Sequence, residues 1–344
     1  MIEAHTLDAW TRAADRSSLP YGYLMVLGGF AAPLFLWLAG VGLAFSAEQV
    51  VARTGDRLKA GETIVRRGAE IFILAFLFRI QAYVVSPGSY LVTLFRVDIL
   101  NVMGPAIVFS GIVWSLARGR RAAVLSLSVV AGAIAMGTPL IRTAHWVAGL
   151  PTWVQWYLRP AADNTTFMLF PWAGFVFAGA AYGTVLAGAR DAAAERRVAT
   201  GLAAAGALVM ALGFYTSYRP ALYPVAAFWT SSPTYFAIRV GAMIVALAAL
   251  RSVATWRALP DQLAFLEKFG RNSLFIYWIH VELVYGYASW AIHRRLPLWG
   301  TLVGLLLFAT LMYGAIPLRD RIVAVWNARR SQKSASERAV TARA

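Results

Sequence analysis

The sequence contains no cysteine and only four histidines. Without thiols, disulfides, thiolate metal sites and cysteine nucleophiles are all excluded. Charge is scarce as well: 14% of residues are charged, against roughly 25% in an average soluble domain. Acidic residues are the scarcer kind, 16 against 32 Lys and Arg, for a net charge of +16. What fills the chain instead is apolar, with 59% hydrophobic residues and a mean hydropathy of +0.60 over 344 residues. This composition excludes a soluble enzyme. It also excludes a nucleic-acid-binding domain, which would gather Lys and Arg on a soluble surface; here they sit in short runs between long apolar stretches.

A bilayer core of about 30 Å needs roughly 20 apolar residues per helix. Nine runs meet that length: 24–46, 68–86, 97–117, 122–141, 166–187, 198–217, 234–250, 273–292 and 298–318. They are too long and continuous for the alternating strands of a barrel, so the expected fold is an all-α, polytopic membrane helix bundle. Pro33 and Pro171 fall inside runs and predict kinks, and the Gly and Ala beside them predict close helix packing. Trp153, Trp156, Tyr157 and Trp299 at loop edges read as an interfacial belt, with His145 and His293 beside it.

Basic residues predict the orientation. Of the 32, 22 fall in one alternate set of loops and the tail, 8 fall in the other set, and Arg79 and Arg239 lie within spans. Lys and Arg are retained in cytoplasmic loops, which places the C-terminus in the cytoplasm. Nine spans then place the N-terminus outside, although residues 1–23 hold no signal or spanning segment to carry it there. The opening MIEAH therefore reads as the end of a truncated first helix in a ten-span protein. The expected organisation is one transmembrane domain over 1–320 and a basic, disordered cytoplasmic tail over 321–344.

Ionisable groups within membrane spans cost about 2.5–3.5 kcal/mol each, so they mark candidate sites. Arg79 lies in FLFRIQAY, Arg96, Asp98 and Asn101 in FRVDILN, Arg239 in SPTYFAIRVGAM, and His280 with Glu282 in NSLFIYWIHVELVYG. His5 and Asp8 close the first helix. All fall in the middle or outer half of the membrane, so they could line one polar pocket; separate ion pairs such as Arg79 with Asp98 are the alternative. His5 and Asp8 are three residues apart and share a helical face, where a carboxylate would orient an imidazole as a general base. His280 and Glu282, two apart, point to different sides.

The runs MIEAHTLDAWTR and GGFAAPLFLWLAG, followed in order by LFRIQAY, FRVDILNVMG, LFPWAGFVFAG, SPTYFAIRVG and FGRNSLFIYWIHVELVYG, resemble bacterial proteins related to the heparan-alpha-glucosaminide N-acetyltransferase catalytic domain, within the wider transmembrane acyltransferase superfamily. The resemblance spans residues 1 to about 290. It implies ten or eleven helices in the bacterial inner membrane and transfer of an acyl group, typically acetyl, from cytoplasmic acetyl-CoA to a sugar hydroxyl or amine on the outer side. In that superfamily an arginine stands ten residues before a histidine that closes the first helix. His5 looks like that histidine, and its arginine would precede Met1. The sugar-amine acetyltransferases carry their active histidine further along the loop, where this chain has none between Thr6 and His145.

On this reading His5, oriented by Asp8, is the base. Arg79, Arg239 or Asn101 would steady the oxyanion, and Arg66, Arg67, Arg120, Arg121 and Arg271 would meet the phosphates of coenzyme A. Acyl-CoA is then a co-substrate; no permanently bound cofactor and no metal is expected. The expected partners are membrane lipids, acyl-CoA and a sugar- or glycan-type acceptor, with a homodimer as an option and no nucleic acid. A transporter or flippase of a polar or lipid-linked substrate would use the same pocket without covalent chemistry, and a packing subunit would use it for stability alone.

Overall fold

The computed structural model describes residues 1–88, 90–189, 191–256 and 264–341. In order the helices are α1 Ile2–Trp10, α2 Leu19–Gly28, α3 Ala31–Thr54, α4 Arg57–Val85, α5 Ile99–Leu116, α6 Arg120–Thr143, α7 Thr152–Leu158, α8 Leu169–Leu186, α9 Ala192–Ser217, α10 Phe228–Ser231, α11 Pro233–Trp256, α12 Ala264–Arg271, α13 Ser273–Tyr285 and α14 Leu298–Thr341. Among the described residues there is no strand, and the protein is a polytopic bundle of membrane helices. Arg190 and Arg257, two of the residues on which orientation was judged, and residues 342–344 of the tail lie outside the described residues.

Eight of the nine expected spans are helices long and apolar enough to cross a bilayer. The ninth is divided: α13 stops at Tyr285, Gly286 takes an extended conformation, and Tyr287–Ile292 forms a 3-10 turn. Thirteen residues reach only about 20 Å at 1.5 Å each, short of the roughly 30 Å of a bilayer core. Pro171 follows a kink, as expected: Phe170 before it is non-helical within α8. Pro33 differs from expectation, because it is in the first turn of α3, where no N–H is missed. Further prolines inside helices are Pro105, Pro139 and Pro317. The tail expected to be disordered is helical as far as Thr341; its Ala, Arg, Gln, Lys and Glu are strong helix formers.

The contacts divide the chain into two compact units, Met1–Gly28 with Leu259–Ala344, and Gly29–Ala258. In the first, Ala9 and Trp10 of α1 pack with Ile276 and Val284 of α13 and Phe308, Met312 and Ile316 of α14. Trp10 Nε1 donates to the Val284 carbonyl at 3.3 Å. Past α1 the backbone runs beside residues 294–298. Leu296 donates to Trp10 at 2.9 Å and Arg12 to Leu296 at 2.8 Å, fastening α1 to the start of α14.

In the second unit, α4 shows the membrane logic most plainly. Ile71, Ala75, Phe78, Arg79 and Ala82 are buried, while Ile73, Leu77, Ile80 and Val84 are exposed on the other side. The polar residue points inward and the branched apolar ones outward, as lipid as solvent requires. Helices α3 and α8 approach each other closely. Gly179-x-x-x-Gly183 of α8 lies along Trp37, Gly40, Val41 and Ala44 of α3, near enough that a Cβ on Gly40 would stand 2.0 Å from the Val176 carbonyl oxygen. This is the small-residue packing typical of membrane helices.

Candidate functional site

In the first unit α1 and α13 bring together residues 280 positions apart. His5 Nδ1 lies 3.2 Å from the Tyr285 hydroxyl, which donates to Asp8 Oδ2 at 2.8 Å. The phenol has one proton and gives it to the carboxylate, so it can only accept from His5. That makes Nδ1 the protonated nitrogen of His5 and Nε2 the lone-pair nitrogen. Arg16 completes the line. Its guanidinium stands 3.6 Å from Asp8 Oδ1, bonds the Asp8 carbonyl, and donates to the Thr11 carbonyl at 3.0 Å.

His280 is the second imidazole of the cluster, its ring centroid 5.2 Å from that of His5. Its Nδ1 is 2.7 Å from the Ile276 carbonyl, one turn back along α13. A carbonyl only accepts, so Nδ1 carries the proton and Nε2 again holds a lone pair. His280 is 0% exposed, and among the described residues its Nε2 has no hydrogen-bond partner. Glu282, two residues on, is buried too at 7% exposure. The expected service of Asp8 to His5 is therefore mediated, with the Tyr285 phenol between them. Tyr285 and Arg16 were not anticipated; Tyr285 stood in the quoted run around His280, but nothing local tied it to Asp8.

After α1 the Asp15 carboxylate holds the loop. Asp15 Oδ2 accepts the Leu298 N–H at 2.7 Å, and Asp15 Oδ1 lies 3.1 Å from Arg12 Nε. The backbone hydrogen bond first, and Arg12 after it, hold the Asp15 carboxyl below the usual carboxylate range.

The candidates of the second unit sort differently. Arg79 and Asp98 do pair, at 3.8 Å, with side chains 11% and 13% exposed, and Arg79 Nε also donates to the Thr93 carbonyl at 3.1 Å. Asp98 is the N-cap of α5, accepting from Ile99 at 2.6 Å, and Asn101 Oδ1 accepts the Asp98 N–H at 3.0 Å to close a capping box. Asn101 is hydrogen-bonded to Tyr157 as well, whose hydroxyl is pushed up by burial against that bond. These groups therefore serve helix starts and loop anchoring rather than an open pocket. Arg96 donates to Thr166 Oγ1 at 2.9 Å. Arg239 lies 4.0 Å above the Tyr235 ring and keeps a buried Nε without a hydrogen-bond partner among the described residues.

An Arg79→Ala variant leaves the buried Asp98 carboxylate without this cation. The expected loss is about 3 kcal/mol, the usual consequence of removing one partner of a buried pair, read as a lower midpoint for thermal unfolding in detergent. A midpoint equal to that of the wild type would show that the pair holds nothing together.

Of the five arginines expected to meet coenzyme A, two line a cavity. Arg66 and Arg67, each paired with Glu70 at 3.3 and 3.2 Å, stand with Lys59 and Glu62 at the rim of a cleft of about 700 Å³ whose floor includes Ala39, Leu43, Ile64, Ile71 and Ile107. Arg120 is held by Glu48 at 2.8 Å, Arg271 by Glu267 at 2.6 Å, and Arg121 is exposed.

The family model described as an acyltransferase domain matches residues 1–316. The chain belongs to this acyltransferase family. No curated protein matches it. The match takes in residues of both compact units.

Proposed function

We propose that this acyltransferase moves an acyl group, in the first instance acetyl, from acyl-CoA to a hydroxyl or amine of a sugar-type acceptor, as do the heparan-alpha-glucosaminide N-acetyltransferase relatives its sequence resembles. The observation that carries the reading is the line His5–Tyr285–Asp8–Arg16. It leaves His5 Nε2 as a lone pair, with an anionic relay behind the ring to stabilise the imidazolium once a proton is taken.

In the proposed step the acceptor oxygen or nitrogen attacks the thioester carbonyl carbon while its proton passes to His5 Nε2. The tetrahedral intermediate collapses, the C–S bond breaks, and the leaving thiolate takes that proton from His5 to depart as a thiol. The cleft rimmed by Arg66 and Arg67 supports the donor side. Both arginines are exposed and held by one carboxylate, and exposed pairs of this kind are worth about 0–1 kcal/mol, so phosphates displace them at little cost. On this reading the basic loops and tail face the cytoplasm of a bacterial inner membrane.

The test is reconstitution in vesicles with acetyl-CoA supplied on the side of the basic loops. The expected result is release of free thiol that depends on an added amino sugar, with the acetylated sugar as product. Movement of unmodified sugar without thiol release would replace the acyltransferase reading by a transporter.

A further inference from the structure

At the end of α9 away from Arg196 and Arg197, the second unit holds a pocket of about 530 Å³ that the proposed acyl transfer does not use. That volume is within the roughly 300–1,000 Å³ of small-ligand sites. Its walls are sorted by depth. Arg219 and Tyr223 stand in the loop after α9, with Thr216, Ser232 and Thr234 at the helix ends beside it. Further in are Leu212, five residues before the end of α9, Met136, seven before the end of α6, and Ala237, four after the start of α11. All three helices are long and apolar enough to cross a bilayer. At 1.5 Å per residue these apolar side chains lie about 6–10 Å inside them. Phe228 also lines the pocket and packs with Trp229 and Tyr235, at centroid distances of 5.1 and 5.0 Å. Aromatic groups at the end of a span sit at headgroup level, so the mouth lies at the membrane surface and the inner end among lipid tails.

The polar end is cationic. The chain has no Asp or Glu between Glu195 and Asp261, and none from elsewhere lines the pocket. Arg219 is exposed, lies 4.6 Å from the Tyr215 ring centroid and donates one N–H to its hydroxyl, out of the five that a guanidinium carries. The Ser232 and Thr234 hydroxyls are 2.6 Å apart and hold two protons, of which their mutual hydrogen bond takes one. The other is left to donate to a third group. We infer that this pocket binds an anionic phospholipid. Its phosphate meets Arg219 and the Ser232–Thr234 pair, and one acyl chain runs inward past Leu212, Met136 and Ala237. The lipid is held and not transformed, so the inference does not depend on the acyl-transfer reading. A soluble phosphate would leave the apolar inner end unfilled, and a zwitterionic lipid would bring its own cation against Arg219.

The test uses the full chain in nanodiscs with phosphatidylglycerol that carries a diazirine in one acyl chain. Irradiation is expected to label α6 near Met136 and α9 near Leu212. Unlabelled phosphatidylglycerol should compete this label away, whereas phosphatidylcholine, and glycerol phosphate without acyl chains, should not. Arg219→Gln is expected to lower the labelling about fivefold, the factor that one basic residue near a membrane surface contributes to holding anionic lipid. Arg219→Lys, which keeps the charge, should retain most of it. Arg219 is exposed and lies beyond the last turn of α9, so neither substitution disturbs the packing, and equal melting curves check this.

Native mass spectrometry of the protein released from mixed lipid gives a second readout. The wild type is expected to retain one more phosphatidylglycerol than Arg219→Gln does. Labelling that phosphatidylcholine competes equally well, or that Arg219→Gln leaves unchanged, would mean bulk lipid contact only and overturns the inference. Competition by glycerol phosphate would reassign the pocket to a soluble anion and overturns it as well. These outcomes stand apart from thiol release: a chain that transfers no acyl group but retains the lipid would leave this site in place.

Discussion

His5→Ala is expected to lower acyl transfer by about 10²–10⁴-fold, the range that a positioned general base supplies, while the protein folds as before. The ring belongs to none of the apolar contacts that hold α1, which run through Ala9 and Trp10 to α13 and α14. Loss of the imidazole therefore removes chemistry and leaves the packing. The loss should appear in kcat, since the proton is taken only as the new bond forms. Tyr285→Phe is the sharper companion. It keeps the ring and removes only the hydroxyl that joins His5 Nδ1 to Asp8 Oδ2. Without that link His5 is free to hold its proton on Nε2, the wrong nitrogen, and the expected loss is smaller, about 10–100-fold. Full activity in His5→Ala, measured by thiol release from acetyl-CoA beside an unchanged melting curve, would remove His5 from the chemistry. Full activity in Tyr285→Phe alone would return the orienting role to Asp8 acting directly.

The membrane helices were legible in the sequence because lipid imposes a length and a polarity that any 20-residue window can register. The Arg79–Asp98 pair was legible for the same reason, since two opposite charges at similar depth have few other partners. The capping role of Asp98 and Asn101 was also written in their spacing of three, at the start of an apolar run, and was passed over in favour of a pocket. The relay was not legible. His5 and Asp8 announce themselves by spacing on one turn, but Tyr285 lies 277 residues from Asp8 and looks like one more interfacial tyrosine. Only the fastening of α1 to the segment before α14 brings it within reach. The end of α13 was misjudged because hydropathy does not sense a backbone that leaves the helix at Gly286 while the side chains stay apolar.

Gly179→Val should be the most damaging single change in the second unit. A Cβ at Gly179 would stand 1.9 Å from the Trp37 carbonyl oxygen, 2.8 Å from its carbonyl carbon and 3.0 Å from its Cα. All three are backbone atoms, so no side chain can rotate away and α3 and α8 must separate by about 1 Å. In a membrane this is costly, because van der Waals contact between close helices replaces the hydrophobic drive that lipid cannot supply. Separation would also loosen the Trp37–Tyr182 ring contact at 4.9 Å. Overpacking usually costs about 1–3 kcal/mol, and with backbone on the far side the upper end or beyond is expected. Gly42→Val is the matched control: it is on α3, within two residues of Gly40, and a Cβ there meets nothing within 4 Å. Its stability should stay within about 0.5 kcal/mol of the wild type, as a surface substitution does. Equal unfolding midpoints for the two variants in detergent would show that α3 and α8 do not depend on this approach. A large loss confined to Gly179→Val would establish the glycine seam as the element that holds them together.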